Sequence, residues 1–397
     1  MKRRAFLSVA ALAATLSPVC SNATARSPAC RGTGDLGVVI ERATGSILII
    51  DNTQRGIIGR VEGLGDLSHA SVVFSRDQRF AYIFGRDGGL SKVDILNASI
   101  EKRVIQGGNA IGGAISDDGA LVAVSNYEPG GIRIFDARTL EQVADIPAVG
   151  AGGVVSKTVG LVDIPGRRFV YCLFEAGEIW IADCSTIGEP VLTKFPAIGE
   201  LPYDANVTSD GRHYFAGLFG EDGLTHLDLW ADVLAPKRIF KGYNAGREKL
   251  PVYKMPHMEG WAQTGAGLVL PAVGQNEVLM LDISEMKETA RIPVHGQPVF
   301  CVARPDGREV WINFAHPKND TVQILDVMTR QIVHQFAPGP AVLHLEFTSR
   351  GHEVWISVRD ENRVDIMDVK SRTKIGEIPA NSPSGIFFTP RAHRIGG

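Results

Sequence analysis

Two histidines, His69 and His257, are the strongest candidates for holding a metal among the ten histidines of the sequence. Each stands near the start of a predicted strand, at a position where comparable segments carry mostly small or apolar residues. Imidazole is a common ligand of heme iron. A planar ligand lying between the two could have one imidazole on its metal and the other above it. An ordinary structural role within a strand is the alternative for each.

Acid–base groups accompany these histidines. Tyr203 occupies the strand position that corresponds to His257, and Asp204 follows it directly. A tyrosine and a carboxylate within reach of a bound molecule can exchange protons with it. His257, Tyr203 and Asp204 are therefore our candidates for catalytic chemistry at the reacting edge of a ligand.

Further polar residues fall in loops predicted to lie at the same end of the molecule. Arginine and lysine side chains pair well with carboxylates, and any one of these loop residues could instead be a solvated surface group. The candidates for ligand contacts are His69, Arg86, Asn126, Tyr127, Lys157 and His295.

Other kinds of site find little support. There is no nucleophile elbow, no phosphate-binding loop and no zinc-protease motif. The net charge of −3 excludes a general attraction to nucleic acid. Four cysteines lie beyond the N-terminal segment without metal-binding spacing, and we predict core positions for them: Cys30, Cys172, Cys184 and Cys301.

The elements that must position these side chains come from an internal repeat. A pattern of apolar residue, any residue, apolar residue and aspartate recurs at intervals of about 45 residues, which is the period of a β-propeller with four strands per blade. Short runs alternate apolar and polar residues between Gly, Asp or Asn turns. The closing aspartates, which we predict to be turn residues, are Asp51, Asp94, Asp136, Asp183, Asp228, Asp282, Asp326 and Asp368.

Eight repeats predict an all-β, eight-bladed propeller over residues 36–397. The chain begins on a second strand at Leu36–Glu41, and residues 382–388 resemble an unaccompanied first strand. We therefore expect the N-terminal and C-terminal segments to complete one blade together, which removes free sheet edges. The ring then places His69 in blade two and His257 in blade six, on opposite sides. The longest interval, between Asp228 and Asp282, contains a polar loop insertion over residues 237–254.

The N-terminus has the features of an export signal. Lys2, Arg3 and Arg4 precede an apolar stretch and a small-residue cleavage site at residues 23–25. Arg3 to Leu7 also fit the twin-arginine pattern. We expect residues 1–25 to be a signal peptide, residues 26–35 to be an extension, and the protein to be periplasmic. A lipid anchor at Cys20 is weakly supported.

Residues 68–71, 79–88 and 125–127 resemble the d1 propeller of cytochrome cd-type nitrite reductase. The resemblance covers nearly the whole chain after the signal, but the covalent heme c motif is missing. The chain is therefore similar to the NirF family of heme d1 biosynthesis proteins. By this resemblance, His69 falls within one residue of the proximal iron ligand, while His257 and His295 fall near distal positions.

The resemblance implies a role in heme d1 biosynthesis. The protein would bind heme d1 or its iron-containing dihydro precursor in the funnel and take part in its final modification, such as side-chain dehydrogenation. His69 would hold the iron, and Arg86 and Lys157 would pair with carboxylates. The alternatives are a carrier that delivers heme d1 to nitrite reductase and a propeller scaffold for protein contacts. Nitrite reductase and other heme d1 maturation proteins are the implied partners.

Overall fold

The computed structural model describes residues 32–252 and 260–396, and within them eight four-stranded antiparallel sheets form the blades of a propeller. This confirms the predicted fold class. In each blade the strands are called A to D from the axis outward. The expected signal peptide at residues 1–25 lies outside the described residues. No helix in the described part of the chain is long and apolar enough to cross a bilayer.

The first half of the chain forms blades one to four in chain order, except for the inner strand of blade one. Its strands are β1 (Leu36–Glu41), β2 (Ser46–Asp51), β3 (Gly56–Val61), β4 (Ser71–Phe74), β5 (Phe80–Phe84), β6 (Gly89–Asp94), β7 (Ser99–Ile105), β8 (Asn109–Ile115), β9 (Leu121–Glu128), β10 (Ile132–Asp136), β11 (Gln142–Ile146), β12 (Thr158–Ile164), β13 (Arg168–Leu173), β14 (Glu178–Asp183) and β15 (Val191–Phe195).

The second half forms blades five to eight and ends with the inner strand of blade one. Its strands are β16 (Pro202–Val207), β17 (His213–Leu218), β18 (Leu224–Asp228), β19 (Lys237–Ile239), β20 (Ala262–Thr264), β21 (Gly267–Pro271), β22 (Glu277–Asp282), β23 (Lys287–Pro293), β24 (Pro298–Ala303), β25 (Glu309–Phe314), β26 (Val322–Asp326), β27 (Gln331–Phe336), β28 (Val342–Phe347), β29 (Glu353–Val358), β30 (Arg363–Asp368), β31 (Thr373–Pro379) and β32 (Pro383–Phe388).

Ring closure occurs where it was predicted. Strand β32 pairs antiparallel with β1, with Phe388 opposite Gly37 and Phe387 opposite Val38. Blade one therefore has the order β3-β2-β1-β32 and contains both ends of the propeller. A side chain at position 37 would collide with the ring of Phe388, so only glycine allows this close pairing.

The closing aspartates are turn residues, as predicted. The carboxylate of Asp51 accepts hydrogen bonds from the backbone N–H groups of Thr53 and Gln54, and Asp136 and Asp282 bind the turns after them in the same way. These bonds satisfy backbone donors at each turn from strand C to strand D. Hydrogen bonding, chiefly from the Arg212 side chain, lowers the pKa of Asp228 to about 2.

Packing between blades supplies the hydrophobic core. Trp180, Trp311 and Trp355 are fully buried, and each indole N–H donates to a glutamate two residues earlier in the chain. Cys172, Cys184 and Cys301 are buried free thiols, in agreement with their predicted core positions. Cys30 lies outside the described residues.

The chain after β32 crosses the end of the propeller opposite the loops from strand B to strand C. A short 3-10 helix spans Thr389–His393, and Arg391 forms a bidentate ion pair with Glu346, both side chains being buried. Farther along, the backbone N–H of Gly396 donates to Asp163 of blade four at 2.9 Å. Residues 389–396 therefore connect the side of blades one and eight to the side of blades four and five.

Candidate functional site

A central cavity of about 240 Å³ lies among the inner strands. Apolar side chains and glycines form most of its wall, including Ile111, Leu161, Phe300 and Phe387. The polar residues on the wall come from several blades, and Gly396 lines the floor. The polar or charged lining residues are Arg42, Ser68, His69, Ser71, Asp163, Tyr203, Asp204, His344 and Ser384. Apolar walls with a few convergent polar groups are typical of a small-molecule site.

His69 lies in the loop before β4, is half-buried and lines the cavity, which agrees with its predicted place at the funnel. His344, on β28, lies deeper in the same wall. The Nδ1 atom of His344 accepts a hydrogen bond from the backbone N–H of Ile386 at 3.2 Å. A neutral imidazole that accepts through Nδ1 carries its proton on Nε2. His344 is therefore held as an Nε2–H donor.

Tyr203 and Asp204 also reach the cavity, as predicted, because β16 brings them to the inner wall of blade five. Asp204 is only 5% exposed. The hydroxyl of Tyr203 accepts a hydrogen bond from the hydroxyl of Tyr127 at 3.0 Å. Burial raises the pKa of Tyr203, although the bond from Tyr127 and the charge of Arg86 act in the opposite direction. Tyr203 therefore stays protonated at neutral pH.

Three arginines gather at the mouth of the cavity. Arg42, Arg86 and Arg359 each lie in a loop from strand B to strand C, in blades one, two and eight. Burial lowers the pKa of Arg42, and the charges of Arg359 and Arg86 lower it further, while the charge of Asp66 raises it. The guanidinium of Arg42 is thus close enough to Arg86 and Arg359 to be repelled by each, which is the environment that an anionic ligand would stabilise.

Several predicted contact residues lie away from the cavity wall. Lys157 forms an ion pair with Glu175 at the rim, and its Nζ lies over the rings of Tyr127 and Phe174 at 5.9 and 5.5 Å. The amide of Asn126 exchanges two hydrogen bonds with the amide of Gln106, at 2.9 and 3.1 Å. The amide oxygen and nitrogen of Asn126 are therefore already bonded to Gln106 and are not directed at the cavity.

His295 does not line the cavity either, and the same is true of Arg86 and Tyr127. Its ring packs edge-on against Phe314, with ring centroids 5.7 Å apart. His257 lies outside the described residues, so its predicted position opposite His69 remains a prediction. In the described part of blade six, strand A spans Ala262–Thr264 alone.

The floor of the cavity holds a buried carboxylate that the sequence did not reveal. Asp163, on β12, accepts the N–H of Gly396 and lies 3.4 Å from Nη2 of Arg76. Burial raises its pKa to about 6, against the opposing effects of these two partners. No sequence signal marked this residue, because its neighbour Gly396 comes from a distant segment without strand periodicity.

The arrangement can bind a flat molecule with apolar faces and anionic edges. The apolar walls suit the faces, the arginines suit carboxylates, and His69 offers an imidazole to a metal. Tyr203 and Asp204 offer a proton donor and a carboxylate at the same wall. These residues fit an iron tetrapyrrole.

Sequence comparison shows which known proteins this chain resembles. The model of the cytochrome D1 heme domain family matches residues 31–392. The protein NirF of Stutzerimonas stutzeri is 57% identical over 368 residues, covering 92% of this chain and 94% of its own. The protein NirF of Pseudomonas aeruginosa is 56% identical over 390 residues, covering 98% of each chain.

A solved structure shares the fold. It is the dihydro-heme d1 dehydrogenase NirN in complex with DHE, which superposes with a TM-score of 0.79 at 24% sequence identity. The match covers 91% of this chain and 76% of that one. At this identity the similarity establishes the propeller architecture.

Proposed function

Since the chain belongs to the cytochrome D1 heme domain family and, within it, to the NirF proteins of heme d1 biosynthesis, we propose that it binds a late iron tetrapyrrole in the central cavity and takes part in its final modification. The observation that carries this proposal is the axial cavity itself, where an imidazole, a tyrosine and a carboxylate share one apolar space. The ligand is heme d1 or its dihydro precursor.

Different residues of the site would bind different parts of this ligand. His69 would hold the iron, because imidazole is a common ligand of heme iron. Arg42 and Arg86 would pair with carboxylates at the mouth, whereas Arg359 is already paired with Asp360 at 2.6 Å. Lys157 contributes less than the sequence suggested, because Glu175 already neutralises its charge.

The modification we propose is the dehydrogenation of a ligand side chain. This breaks two C–H bonds and forms a C=C bond, so an external electron acceptor is required. Asp204, buried at the cavity wall, would take up one hydrogen as a proton, with Tyr203 beside it, and the other hydrogen would leave with the electron pair to the acceptor. Incubating the protein with dihydro-heme d1 and an electron acceptor, followed by mass spectrometry of the ligand, tests this step. An unchanged ligand under all conditions would support a carrier that delivers heme d1 to nitrite reductase.

Binding is tested directly by absorption spectroscopy. Purified protein mixed with heme d1 should shift the Soret band of the ligand, and His69→Ala should abolish or alter that shift because the iron loses its imidazole. The matched control is His352→Ala, which changes an exposed histidine in a turn of blade eight and should leave the spectrum as in the wild type. A ligand spectrum unaffected by the wild-type protein would contradict the tetrapyrrole proposal.

We also propose that the protein acts in the periplasm, on the basis of its N-terminal sequence. The twin-arginine pattern at Arg3 and Arg4 is the observation that supports export. Replacing both arginines by lysine should retain the protein in the cytoplasmic fraction, as measured by cell fractionation. Export of that variant would contradict the twin-arginine route.

A further inference from the structure

Two tyrosines connect the rim of the propeller to the cavity. Tyr127 belongs to blade three and Tyr203 to blade five, and their hydroxyls are 3.0 Å apart. Tyr203 lines the cavity, whereas Tyr127 does not. Both side chains are partly buried. Tyr127 can therefore influence a ligand in the cavity through its bond to Tyr203, and not by direct contact.

The direction of this hydrogen bond restricts what Tyr203 can do. A tyrosine hydroxyl has one proton to donate. Tyr127 donates its proton to the oxygen of Tyr203, so the proton of Tyr203 must point to another acceptor. Within residues 32–252 and 260–396, no hydrogen bond donated by the Tyr203 hydroxyl is found, and its one partner there is the Tyr127 hydroxyl that donates to it. Tyr203 borders the central cavity and a smaller adjoining cavity of about 30 Å³, and of these two only the central cavity has room for a ligand that could accept this bond.

Neighbouring side chains fix both rings. Phe174 packs edge-on against Tyr203, with ring centroids 5.9 Å apart. The Nζ atom of Lys157 lies over the ring of Tyr127 and is anchored by Glu175. Tyr203 is therefore fixed at its ring and at its oxygen, which leaves little freedom for its hydroxyl proton.

We propose that Tyr127 is a positioning residue, which by donating to Tyr203 makes the Tyr203 hydroxyl a hydrogen-bond donor to an oxygen acceptor on the bound tetrapyrrole. This inference rests on the proposed function. In a chain of hydroxyl groups each bond polarises the next, so the bond from Tyr127 also strengthens the bond that Tyr203 donates. The raised pKa of Tyr203 keeps its proton available for this bond at neutral pH.

A double-mutant cycle tests the proposal, with heme d1 as the probe and affinity measured by absorption titration. Tyr203→Phe should weaken binding about threefold to tenfold, the effect of one neutral hydrogen bond. Tyr127→Phe should weaken it about twofold to threefold, because Tyr203 remains but loses its orientation and polarisation. In the Tyr203→Phe background, Tyr127→Phe should have no further effect, since its partner is gone.

A matched control separates this effect from the loss of a hydroxyl in general. Tyr171 is fully buried in blade four, and its hydroxyl has no hydrogen-bond partner among the described residues. Tyr171→Phe should therefore bind heme d1 as the wild type does. The position of the ligand absorption bands supplies a second measurement, which should change in Tyr203→Phe and Tyr127→Phe but not in Tyr171→Phe.

The outcomes distinguish two failures. If wild-type protein does not bind heme d1, the proposed function fails and this inference falls with it. If wild-type protein binds but Tyr127→Phe has no effect, or has the same effect with and without the Tyr203 hydroxyl, the positioning role alone is wrong.

Discussion

At the scale of residues, the arginine cluster at the cavity mouth depends on contacts between different blades. Arg42, Arg86 and Arg359 are far apart in sequence, and nothing in their local patterns distinguishes them from other loop arginines. Arg86 was predicted because it lies close to His69. The other two could not be, because their proximity requires the closed ring, which brings blade eight beside blade one.

We predict that Arg42→Met weakens the binding of heme d1 about fivefold and reduces its dependence on salt. Arg42 lines the cavity and its charge is partly buried, so its removal takes away a charge-assisted bond to a ligand carboxylate. Interactions at a partly exposed mouth are screened by ions. Titrations at low and high salt measure both effects.

Arg330→Met is the control for this prediction. Arg330 lies in a turn between strands C and D, at the other end of the propeller, and is exposed. Its loss should change neither the affinity nor the salt dependence. Equal losses in the two variants would show that overall charge, rather than the cluster, attracts the ligand.

At the scale of elements, the sequence predicted regular strands well and irregular segments poorly. The predicted strand Leu36–Glu41 agrees with the structure at both ends, and the predicted strand over residues 382–388 differs by one residue from Pro383–Phe388, because the period of the repeat marks both. Asn126 was predicted as a ligand contact, yet its amide is satisfied by Gln106 of the neighbouring blade. A single strand pattern cannot show how a partner on another blade uses a polar side chain.

The segment 389–396 is the element that could least be predicted from the sequence. It lacks strand periodicity, and its contacts with Glu346, Arg76 and Asp163 come from three different blades. Such contacts can be found only once the ring is closed. Because burial raises the pKa of Asp163, we expect the attachment of this segment to depend on pH.

We predict that Asp163 reduces the stability of the protein as pH rises from 4 to 6. Burial raises its folded-state pKa from 3.8 to about 6, so between these values the folded state keeps a proton that the unfolded state has lost. The contribution of Asp163 to the free energy of unfolding is fully present below pH 4 and is lost as pH rises through 6. The free energy of unfolding falls by about 3 kcal/mol over this range.

Denaturant unfolding of wild type and Asp163→Asn across this pH range measures the effect. Asparagine keeps an oxygen for the N–H of Gly396 but cannot ionise. The difference in unfolding free energy between the two proteins should therefore fall between pH 4 and 6 and then stay constant. A difference independent of pH would show that Asp163 ionises normally in the folded protein.

At the scale of the whole molecule, one strand pairing closes the ring. The remaining seven blades are each formed from consecutive strands, whereas blade one joins β1 near the beginning of the propeller to β32 near its end. Strand β32 also buries Ile386, Phe387 and Phe388 between blades. The cavity therefore depends on this strand both for its wall and for the closed arrangement of the other blades.

We predict that a chain ending at Asn381 does not fold cooperatively. Burying each of the three apolar side chains of β32 contributes about 1.5–3 kcal/mol, and the sum is comparable with the whole net stability of a typical protein, about 5–15 kcal/mol. The truncation also leaves β1 as an open edge that can aggregate. Circular dichroism during thermal unfolding should show a broad transition or none.

A peptide of residues 382–396, added to the truncated chain, should restore both the sharp transition and the binding of heme d1, because the ring is closed by noncovalent pairing alone. The same peptide with Phe387 and Phe388 replaced by serine should restore neither, since it keeps the backbone donors but not the buried rings. If the truncated chain unfolds as sharply as the full chain without any peptide, blade one is stable with three strands and closure does not control the fold. If the serine peptide works as well as the native one, backbone pairing rather than side-chain burial closes the ring.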